Sequence, residues 1–249
     1  MKKTTSWQSA HRWYHENVGQ EGLYYHQHII LPKLLDKIKG APIVDMGCGQ
    51  GVLGRKIDPG TPYEGYDISP ALVRLARKQD PSPLHHYHVH DCMRPISSKT
   101  LFKEGVCLLA AQNMESLPAL FATTKQILKP GGTFHLVLNH PCFRIPRQSS
   151  WEVDESKKIQ YRRIDRYLSP LKIPIQVNPG KGSHSPETWS FHFSLSDLIK
   201  AAQAAGFCLF DLEEWTSDKK STGSKAKMEN RAREEIPLFL YVGLRSGGV

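Results

Sequence analysis

The sequence predicts an α/β fold built on a mostly parallel sheet. From residue 41 onward, short apolar runs alternate with segments of helical periodicity, which is the pattern of repeated β-α units. The run GVCLLAAQ (105–112) is apolar almost throughout, as in a strand that is buried on both faces. The 249 residues are 39% hydrophobic and 23% charged, which is typical of a soluble chain with one well-buried core.

The first half of the chain supplies five strands and two helices. The predicted strands are APIVDMG (41–47), TPYEGYD (61–67), LHHYHVHD (84–91), GVCLLAAQ (105–112) and TFHLVLNH (133–140). A helix over SPALVRLARKQ has Ser69 as its N-cap and Pro70 at its first position. A second helix begins at Ser116 and ends at the turn Pro130-Gly131-Gly132.

Beyond the fifth strand the alternation stops, over an insert at about residues 143–193. Connections longer than about 15 residues are unusual in compact domains, and they tend to be functional or disordered. In TWSFHFS (188–194) the aromatic residues alternate with polar ones, as in a half-buried strand, and a disordered linker would be poor in Trp, Phe and Tyr. We therefore expect an ordered, β-rich cap.

After the insert the regular order resumes with a helix over SLSDLIKAAQAAGF, a strand over CLFDLEEW and a last strand over PLFLYVGLR. Residues 1–40 form a separate N-terminal helical segment that is rich in aromatic side chains, namely Trp7, Trp13, Tyr14, Tyr24 and Tyr25. This segment either packs against the sheet or serves as a lid. The predicted domains are thus 1–40 and 41–249, the second carrying the cap insert.

Composition excludes several classes of protein. No apolar run approaches the roughly 18 residues of a membrane span, and the first residues lack the apolar core of an export signal, so a cytoplasmic location is predicted. The five cysteines are scattered, which suggests neither a disulfide framework nor a zinc site. Three histidines, His86, His88 and His90, share one face of the third strand, but this spacing without a second cluster predicts a half-exposed strand rather than a metal site.

The formal net charge of +9 is concentrated in two irregular stretches. Residues 144–172 hold eight basic against four acidic residues, and residues 216–233 hold six against two. Basic patches bind phosphate groups electrostatically, so the charge raises the possibility of a nucleic-acid partner. Either the two stretches flank an acidic substrate or they are solvated loops.

The motif VDMGCGQG (44–51) joins a strand end to three glycines spaced two apart. A strand, a glycine turn and a helix N-terminus together offer bare N–H groups and a partial positive charge that suit an anion. Gly49, Gly51 and Gly54 also satisfy the pattern G-x-G-x-x-G, with Asp67 at a suitable distance for a dinucleotide ribose. On spacing alone, NAD therefore remains a possible cofactor.

Three acids, each at the end of a successive strand, favour a different cofactor. Asp45 would repel a pyrophosphate, whereas S-adenosylmethionine carries an ammonium, a sulfonium and only one carboxylate. Asp67 can accept both ribose hydroxyls, and Asp91 can accept from the adenine amino group. Open α/β sheets bind ligands along the carboxyl ends of their strands, where these acids would line one trough. Taken singly, Asp67 or Asp91 is more often a turn or helix cap.

The motifs VDMGCGQG, YEGYDIS, VHDCM and LKPGGTFHLVL, together with the closing AAGF helix and its two strands, resemble those of the class I S-adenosylmethionine-dependent methyltransferases. The resemblance is strongest to the branch of quinone and other small-molecule methyltransferases. It implies a Rossmann-like sheet of seven strands, with an antiparallel last strand and helices on both faces. It also implies S-adenosyl-L-methionine as cofactor and S-adenosyl-L-homocysteine as product.

The resemblance further implies where the cofactor lies. Asp45, Gly47 and Gly49 would surround its methionine part. Asp67 would hold the ribose and Ile68 would pack on adenine, with Asp91 and Cys92 at the edge of the base. After the fourth strand, AAQNMES adds Gln112 to the cofactor-binding candidates.

The acceptor side is less well defined. AAQNMES is not the Asn/Asp-Pro-Pro-aromatic segment of amino-methylating DNA and protein-glutamine enzymes, which argues against those substrates. The segment LNHPCF puts His140 near the reactive end of the cofactor, unless it only caps the turn before Pro141, and the return of the insert at FHFS brings His192 towards the same cavity. Either histidine can serve as a general base.

The sequence thus predicts in-line transfer of a methyl group to a small-molecule acceptor, acidic or aromatic, in an apolar pocket that the insert encloses. The arginines of the insert can hold an acidic group on that acceptor; they are Arg144, Arg147, Arg162, Arg163 and Arg166. Two alternatives remain open. An RNA or protein methyltransferase would present both basic stretches on one open face beside the cofactor. A non-catalytic S-adenosylmethionine-binding protein would show binding without turnover.

Overall fold

A central sheet of seven strands organises the computed structural model, which describes residues 7, 15–16, 18–19, 21–176, 185 and 187–247. The strands are β1 (Ile43–Met46), β2 (Tyr63–Asp67), β3 (His85–Val89), β4 (Phe102–Leu108), β5 (Leu128–Asn139), β6 (Ser149–Asp154), β7 (Ile159–Ile164), β8 (Leu171–Gln176), β9 (Glu187–His192), β10 (Phe207–Trp215) and β11 (Phe239–Ser246). The central sheet has the order β10-β11-β5-β4-β1-β2-β3, and β11 alone runs antiparallel to its two neighbours. The predicted Rossmann-like fold, with its antiparallel last strand, is confirmed.

Three of the five α-helices in the described part of the chain begin at the residues that the sequence indicates, whereas the last one occupies a stretch that the sequence predicts to be a basic loop. The five are α1 (Leu31–Lys37), α2 (Pro70–Gln79), α3 (Leu117–Ile127), α4 (Leu195–Ala204) and α5 (Ala226–Glu235). Ser69 and Ser116 each accept a hydrogen bond from a backbone N–H three residues further on, and Ser194 forms a capping box with Asp197. These serines satisfy N–H groups that a helix N-terminus otherwise leaves without partners.

Core side chains cover both faces of the sheet. Alternate residues of a strand point to opposite faces, and in β1 Ile43 packs into one buried cluster whereas Val44 and Met46 pack into the other. The same alternation runs along β5, β4 and β11. Because both faces are buried, the carboxyl ends of the strands are the part of the sheet that remains accessible to a ligand.

The structure differs from the prediction at the Pro-Gly-Gly turn. Helix α3 ends at Ile127 and β5 begins at the next residue, so the turn lies within the strand rather than before it. Gly131 has a φ of +71°, and the register of β4 against β5 shifts between Phe102 and Glu104. The turn is therefore a local bulge in β5, which the glycines permit.

Among its described residues, the insert contains two antiparallel strand pairs, β6–β7 and β8–β9. In β9 the polar side chains of Thr188, Ser190 and His192 are buried, whereas the aromatic ones are half-buried. Lys172 of β8 covers the aromatic face, its Nζ lying 5.0 Å from the Trp189 ring centroid. The strand period is thus as predicted, and it is the polar face that packs inward.

Three further predictions concern the aromatic N-terminal segment, membrane-spanning helices and metal sites. Trp13 and Tyr14 lie outside the described residues, so the aromatic N-terminal segment is represented by Trp7, Tyr24 and Tyr25. None of the described helices combines the length and the apolar character that crossing a membrane requires. Within the described ranges, no group of His, Cys, Asp and Glu side chains is arranged to hold a metal ion.

Candidate active site

A cavity of about 460 Å³ opens along the carboxyl ends of the central strands. Gly47 and Gly49 line it after β1, Asp67 and Ile68 at the end of β2, and Asp91 after β3. The segments after β4 and β5 and parts of the N-terminal segment complete its wall. Most of the predicted cofactor-binding residues thus lie around one cavity.

The glycine motif wraps tightly around the end of β1. Gly47 has a φ of +86°, and its N–H donates to the backbone oxygen of Tyr66 at 2.7 Å. A Cβ atom at this position would lie 2.5 Å from the Cβ of Ala110, closer than two carbon atoms can approach. The backbone of the loop therefore reaches the cavity only because the residue is glycine.

The carboxylate of Asp67 connects the glycine motif to helix α2. Its Oδ2 accepts from the Gly49 N–H at 3.0 Å, and its Oδ1 accepts from the Ser69 N–H at 2.8 Å. Burial raises its pKa to about 6, although the two backbone donors favour the ionised form. Each oxygen keeps a lone pair for a further donor, so Asp67 can receive hydroxyl groups from a ligand in the cavity.

Asp45 lies beneath the glycine motif and is not among the residues that line the cavity. It is 2% exposed, and its Oδ2 accepts from the Tyr63 hydroxyl at 2.6 Å. Burial, aided by the negative charge of Asp67, raises its pKa to about 7. Its Oδ1 is buried and has no hydrogen-bond partner among the described residues. Asp45 thus contributes negative potential and an unused acceptor behind the loop.

Asp91, Cys92 and Ile68 form the side of the cavity near β2 and β3. The Asp91 Oδ1 accepts from the Met93 N–H at 3.0 Å, so this side chain also shapes its own turn. Cys92 is buried, and burial raises the pKa of its thiol well above the ordinary value, so it is an uncharged apolar contact. Ile68 is 37% exposed, which leaves part of its apolar side chain free to contact a ligand.

The segment after β4 contains a strained residue. Leu109 has a φ of +51°, which side chains other than glycine rarely adopt and which often occurs at functional sites. Its carbonyl oxygen accepts from the Gln112 Nε2 at 3.0 Å and from the Asn113 Nδ2 at 3.4 Å. The Oε1 of Gln112 is buried and has no hydrogen-bond partner among the described residues.

The N-terminal segment contributes Trp7, Tyr25 and His26 to the cavity wall. His26 opens a π-helical turn, His26–Ile30, a conformation that is frequent at functional sites. Its Nδ1 accepts from the Leu23 N–H at 3.2 Å, and burial lowers its pKa to about 4, so the ring is neutral and carries its proton on Nε2. Sequence reasoning missed His26, because no motif marks a π-helical turn.

The contacts of His140 do not favour the predicted role of general base. Its Nδ1 accepts from the Cys142 N–H at 3.1 Å, and its Nε2–H donates to the Glu214 Oε1 at 2.7 Å. Both ring nitrogens are thus engaged, and the residue lines neither the large cavity nor its neighbour. His140 instead links the end of β5 to the edge strand β10.

His192 lines a second, smaller cavity of about 50 Å³. Its Nε2–H donates to the Tyr167 carbonyl oxygen at 2.6 Å, which leaves Nδ1 as the basic nitrogen. Gln112, Asn139 and Arg144 line both cavities and form the wall between them. His140 and His192 therefore do not share a cavity, but His192 lies next to the large one.

The polar groups of the large cavity suit a ligand with cationic and hydrogen-bond-donating groups. Asp67 and Asp91 are acceptors when ionised, and the unpartnered oxygen of Gln112 is an acceptor too. A pyrophosphate would meet two carboxylates at this rim, whereas a ligand with an ammonium, a sulfonium and ribose hydroxyls would find partners for each. The residues present therefore fit S-adenosylmethionine better than NAD.

Comparisons with known proteins agree with this chemistry. A family model described as a methyltransferase domain matches residues 23–211. No match was found among curated proteins. A solved S-adenosylmethionine-dependent methyltransferase from Mesorhizobium loti is 26% identical, with a TM-score of 0.69, over 91% of this chain and 100% of that one.

Two other solved structures share the fold. A putative S-adenosylmethionine-dependent methyltransferase from Listeria monocytogenes is 19% identical, with a TM-score of 0.70, over 88% of this chain and 98% of that one. The glycopeptide N-methyltransferase MtfA, complexed with S-adenosylmethionine, is 13% identical, with a TM-score of 0.58, over 86% of this chain and 92% of that one. Together with the family match and the cavity, these similarities show that the chain belongs to the methyltransferase-domain family, as a class I S-adenosylmethionine-dependent methyltransferase.

Proposed function

We propose that the enzyme methylates a small-molecule acceptor in the large cavity. The observation that carries this proposal is the size of that cavity, about 460 Å³, with the aromatic side chains of Trp7 and Tyr25 in its wall. Small-molecule sites are clefts of roughly 300–1,000 Å³ with a few polar groups on apolar walls. After the cofactor is bound, the remaining space suits a small acceptor better than a folded polymer.

The cofactor-binding roles assigned from the sequence remain part of this proposal. Gly47 and Gly49 would present backbone to the methionine part, with Asp45 behind them as a source of negative potential. Asp67 would hold the ribose hydroxyls, and Asp91 the adenine amino group. When bound, S-adenosylmethionine supplies a methyl group on a positively charged sulfur.

The chain's own residues would align the acceptor and exclude water from it. Gln112 and Asn139, on the wall shared by the two cavities, are placed to hydrogen-bond an acceptor beside the strand ends. Of the two histidines predicted as bases, only His192 retains a ring nitrogen that can accept a proton. We assign it the removal of the acceptor's proton, directly or through one water molecule.

The two basic stretches contact each other, so their surfaces adjoin. An RNA or protein substrate would also require this. Lys225 of the second stretch is paired with Glu155 of the first, and α5 packs against β7. Many of the basic side chains are however ion-paired, as Arg163 is with Glu152 and Asp165, so their charge is partly neutralised. A polymer substrate is therefore the less favoured candidate.

Labelled methyl transfer separates these functions. The protein is incubated with methyl-labelled S-adenosylmethionine and a cell extract that is then divided into small-molecule, lipid, protein and RNA fractions. We expect label in the small-molecule fraction, and much less label with an Asp67→Ala variant. Label in RNA or protein would refute the proposed acceptor class. Binding of the cofactor without labelling of any fraction would indicate a non-catalytic binding protein.

A further inference from the structure

Arg144 lies on the wall shared by the two cavities and is a cation without a counter-ion among the described residues. It lies in the segment after β5 and is half-buried. Its Nη1 donates to the Leu238 carbonyl oxygen at 3.4 Å, and the guanidinium carbon lies 5.0 Å from the Phe239 ring centroid. Among the described residues, no carboxylate oxygen lies within 4.0 Å of it.

The groups around Arg144 do not neutralise its charge. Burial and the positive charge of Arg162 both lower its pKa, while the nearby Tyr25 phenol acts weakly in the opposite direction. A guanidinium nevertheless stays protonated in proteins. The acids of the cavity, Asp67 and Asp91, follow β2 and β3, whereas Arg144 follows β5, so the two charge types lie at opposite sides of the cavity.

The neighbouring Arg162 has a structural role and serves as a comparison for Arg144. Its Nε donates to the Phe143 carbonyl oxygen at 2.6 Å, and its Nη2 donates to the Ser149 Oγ at 2.9 Å. Its guanidinium also lies over the Trp151 ring, at 5.3 Å from the centroid. Arg144, in contrast, donates only one of its five N–H groups to a described residue, and that bond is long. Packing of the fold alone therefore does not account for Arg144.

We propose that Arg144 binds a carboxylate on the methyl acceptor. The inference rests on the proposed small-molecule function and names the substrate class of that site: an organic acid whose carboxylate lies at Arg144 while its methylated group points towards the strand ends. A guanidinium offers two parallel N–H donors that match a planar carboxylate, and a single arginine balances a single negative charge. Among the described residues that line the two cavities, Arg144 is the only arginine, so the site suits a monoanion.

Matched pairs of ligands test the proposal directly. Benzoate and benzamide, and cinnamate and cinnamamide, have nearly the same shape and differ in charge. Ligand-detected NMR with the wild-type protein, with and without S-adenosylhomocysteine, should show binding of each acid at least about tenfold tighter than its amide. Arg144→Gln should abolish this preference. Arg231→Gln, which removes the same charge from the exposed surface of α5, should preserve it.

A stability measurement adds a readout that does not depend on the ligand chosen. An arginine retained for binding and lacking a counter-ion should be replaceable by an apolar side chain without loss of stability. Arg144→Met is therefore expected to keep or raise the thermal midpoint. Arg162→Met, which removes the two hydrogen bonds above, should lower it.

The outcomes separate this inference from the proposed function. If acids and amides bind the wild-type protein equally, or if Arg144→Gln keeps the preference for acids, the carboxylate assignment is wrong. A lower midpoint for Arg144→Met would give Arg144 a structural role and overturn the inference as well. Failure of the protein to bind S-adenosylhomocysteine would instead refute the proposed function, and the NMR titrations without it would still decide the role of Arg144.

Discussion

Replacing Asp67 by alanine is expected to weaken cofactor binding more than any other single change among the acids of the cavity. In the free protein its two oxygens hold the Gly49 and Ser69 N–H groups, at 3.0 and 2.8 Å. In the complex the same carboxylate would also receive two ribose hydroxyls. Alanine removes these acceptors and leaves the Gly49 N–H without its partner, so the glycine motif loses its connection to α2.

The size of the effect follows from the number of bonds lost. Hydrogen bonds to a charged group contribute roughly 1.5–3 kcal/mol each, so losing two from the ribose should weaken binding by roughly 100- to 10,000-fold. Asp91→Ala removes one bond to the cofactor, and the expected loss is roughly 10- to 100-fold. The loss of affinity in Asp67→Asn should lie between these two values. The amide oxygen can still accept from the Ser69 N–H, but the NH₂ group is a donor and cannot accept from the Gly49 N–H.

Isothermal titration of S-adenosylhomocysteine into each variant measures these losses. Circular dichroism and thermal unfolding establish that each variant is folded. Asp36→Ala serves as the control, because the Asp36 carboxylate is exposed on α1 and, within the described part of the chain, pairs only with Lys39. If Asp91→Ala costs as much as Asp67→Ala, or if both variants bind like the control, the assignment of the ribose to Asp67 is incorrect.

Three other perturbations have defined outcomes. Burial raises the pKa of Asp45 to about 7 and that of Asp67 to about 6, so the folded chain holds protons that the unfolded chain has released. Stability in denaturant should therefore fall by on the order of 1–4 kcal/mol from about pH 5 to about pH 8, and a flat profile would contradict the raised values. Gly47→Ala should lower stability more than Gly131→Ala. Both glycines have positive φ, but only a Cβ at position 47 would clash with a neighbouring side chain. Equal losses of stability in chemical denaturation would refute this clash. His192→Gln should lower kcat and leave KM for the cofactor unchanged. It should also remove the part of the kcat–pH profile in which the rate rises with pH because a base loses its proton. An unaltered profile would exclude His192 as the base.

The grouping of the predicted cofactor-binding residues around one cavity could be predicted from the sequence, because it follows from the geometry of a parallel sheet. Strands that run in the same direction end at the same edge, so residues that end successive strands must lie near each other. Asp67 and Asp91 line one cavity for this reason, and so do Gly47 and Gly49. Asp45 shows the limit of the rule, because its side chain turns beneath the loop towards Tyr63 instead of into the cavity.

Histidine roles could not be predicted in the same way. His140 comes directly after β5, just as Asp67 stands at the end of β2. Its ring nevertheless hydrogen-bonds Glu214, a residue 74 positions further along the chain, and does not line the cavity. The sequence does not show which partner a ring nitrogen will find, since that depends on packing between distant segments. His26 was missed for a related reason, since its place in the wall depends on how the N-terminal segment folds back over the sheet.

The parts of the two cavity walls that lie away from the strand ends come from segments that are far apart in sequence, and this explains why the sequence did not indicate their contacts and why we expect them to set acceptor specificity. Arg144 comes from the start of the insert, His192 from its end, and Tyr25 from the N-terminal segment. None of these positions is determined by strand ends, so each can change without disturbing the cofactor's acids. Substitutions on this side should therefore alter which acceptor is methylated while S-adenosylhomocysteine binds as before, and a parallel loss of both in Arg144→Gln would show that the two sides are energetically coupled.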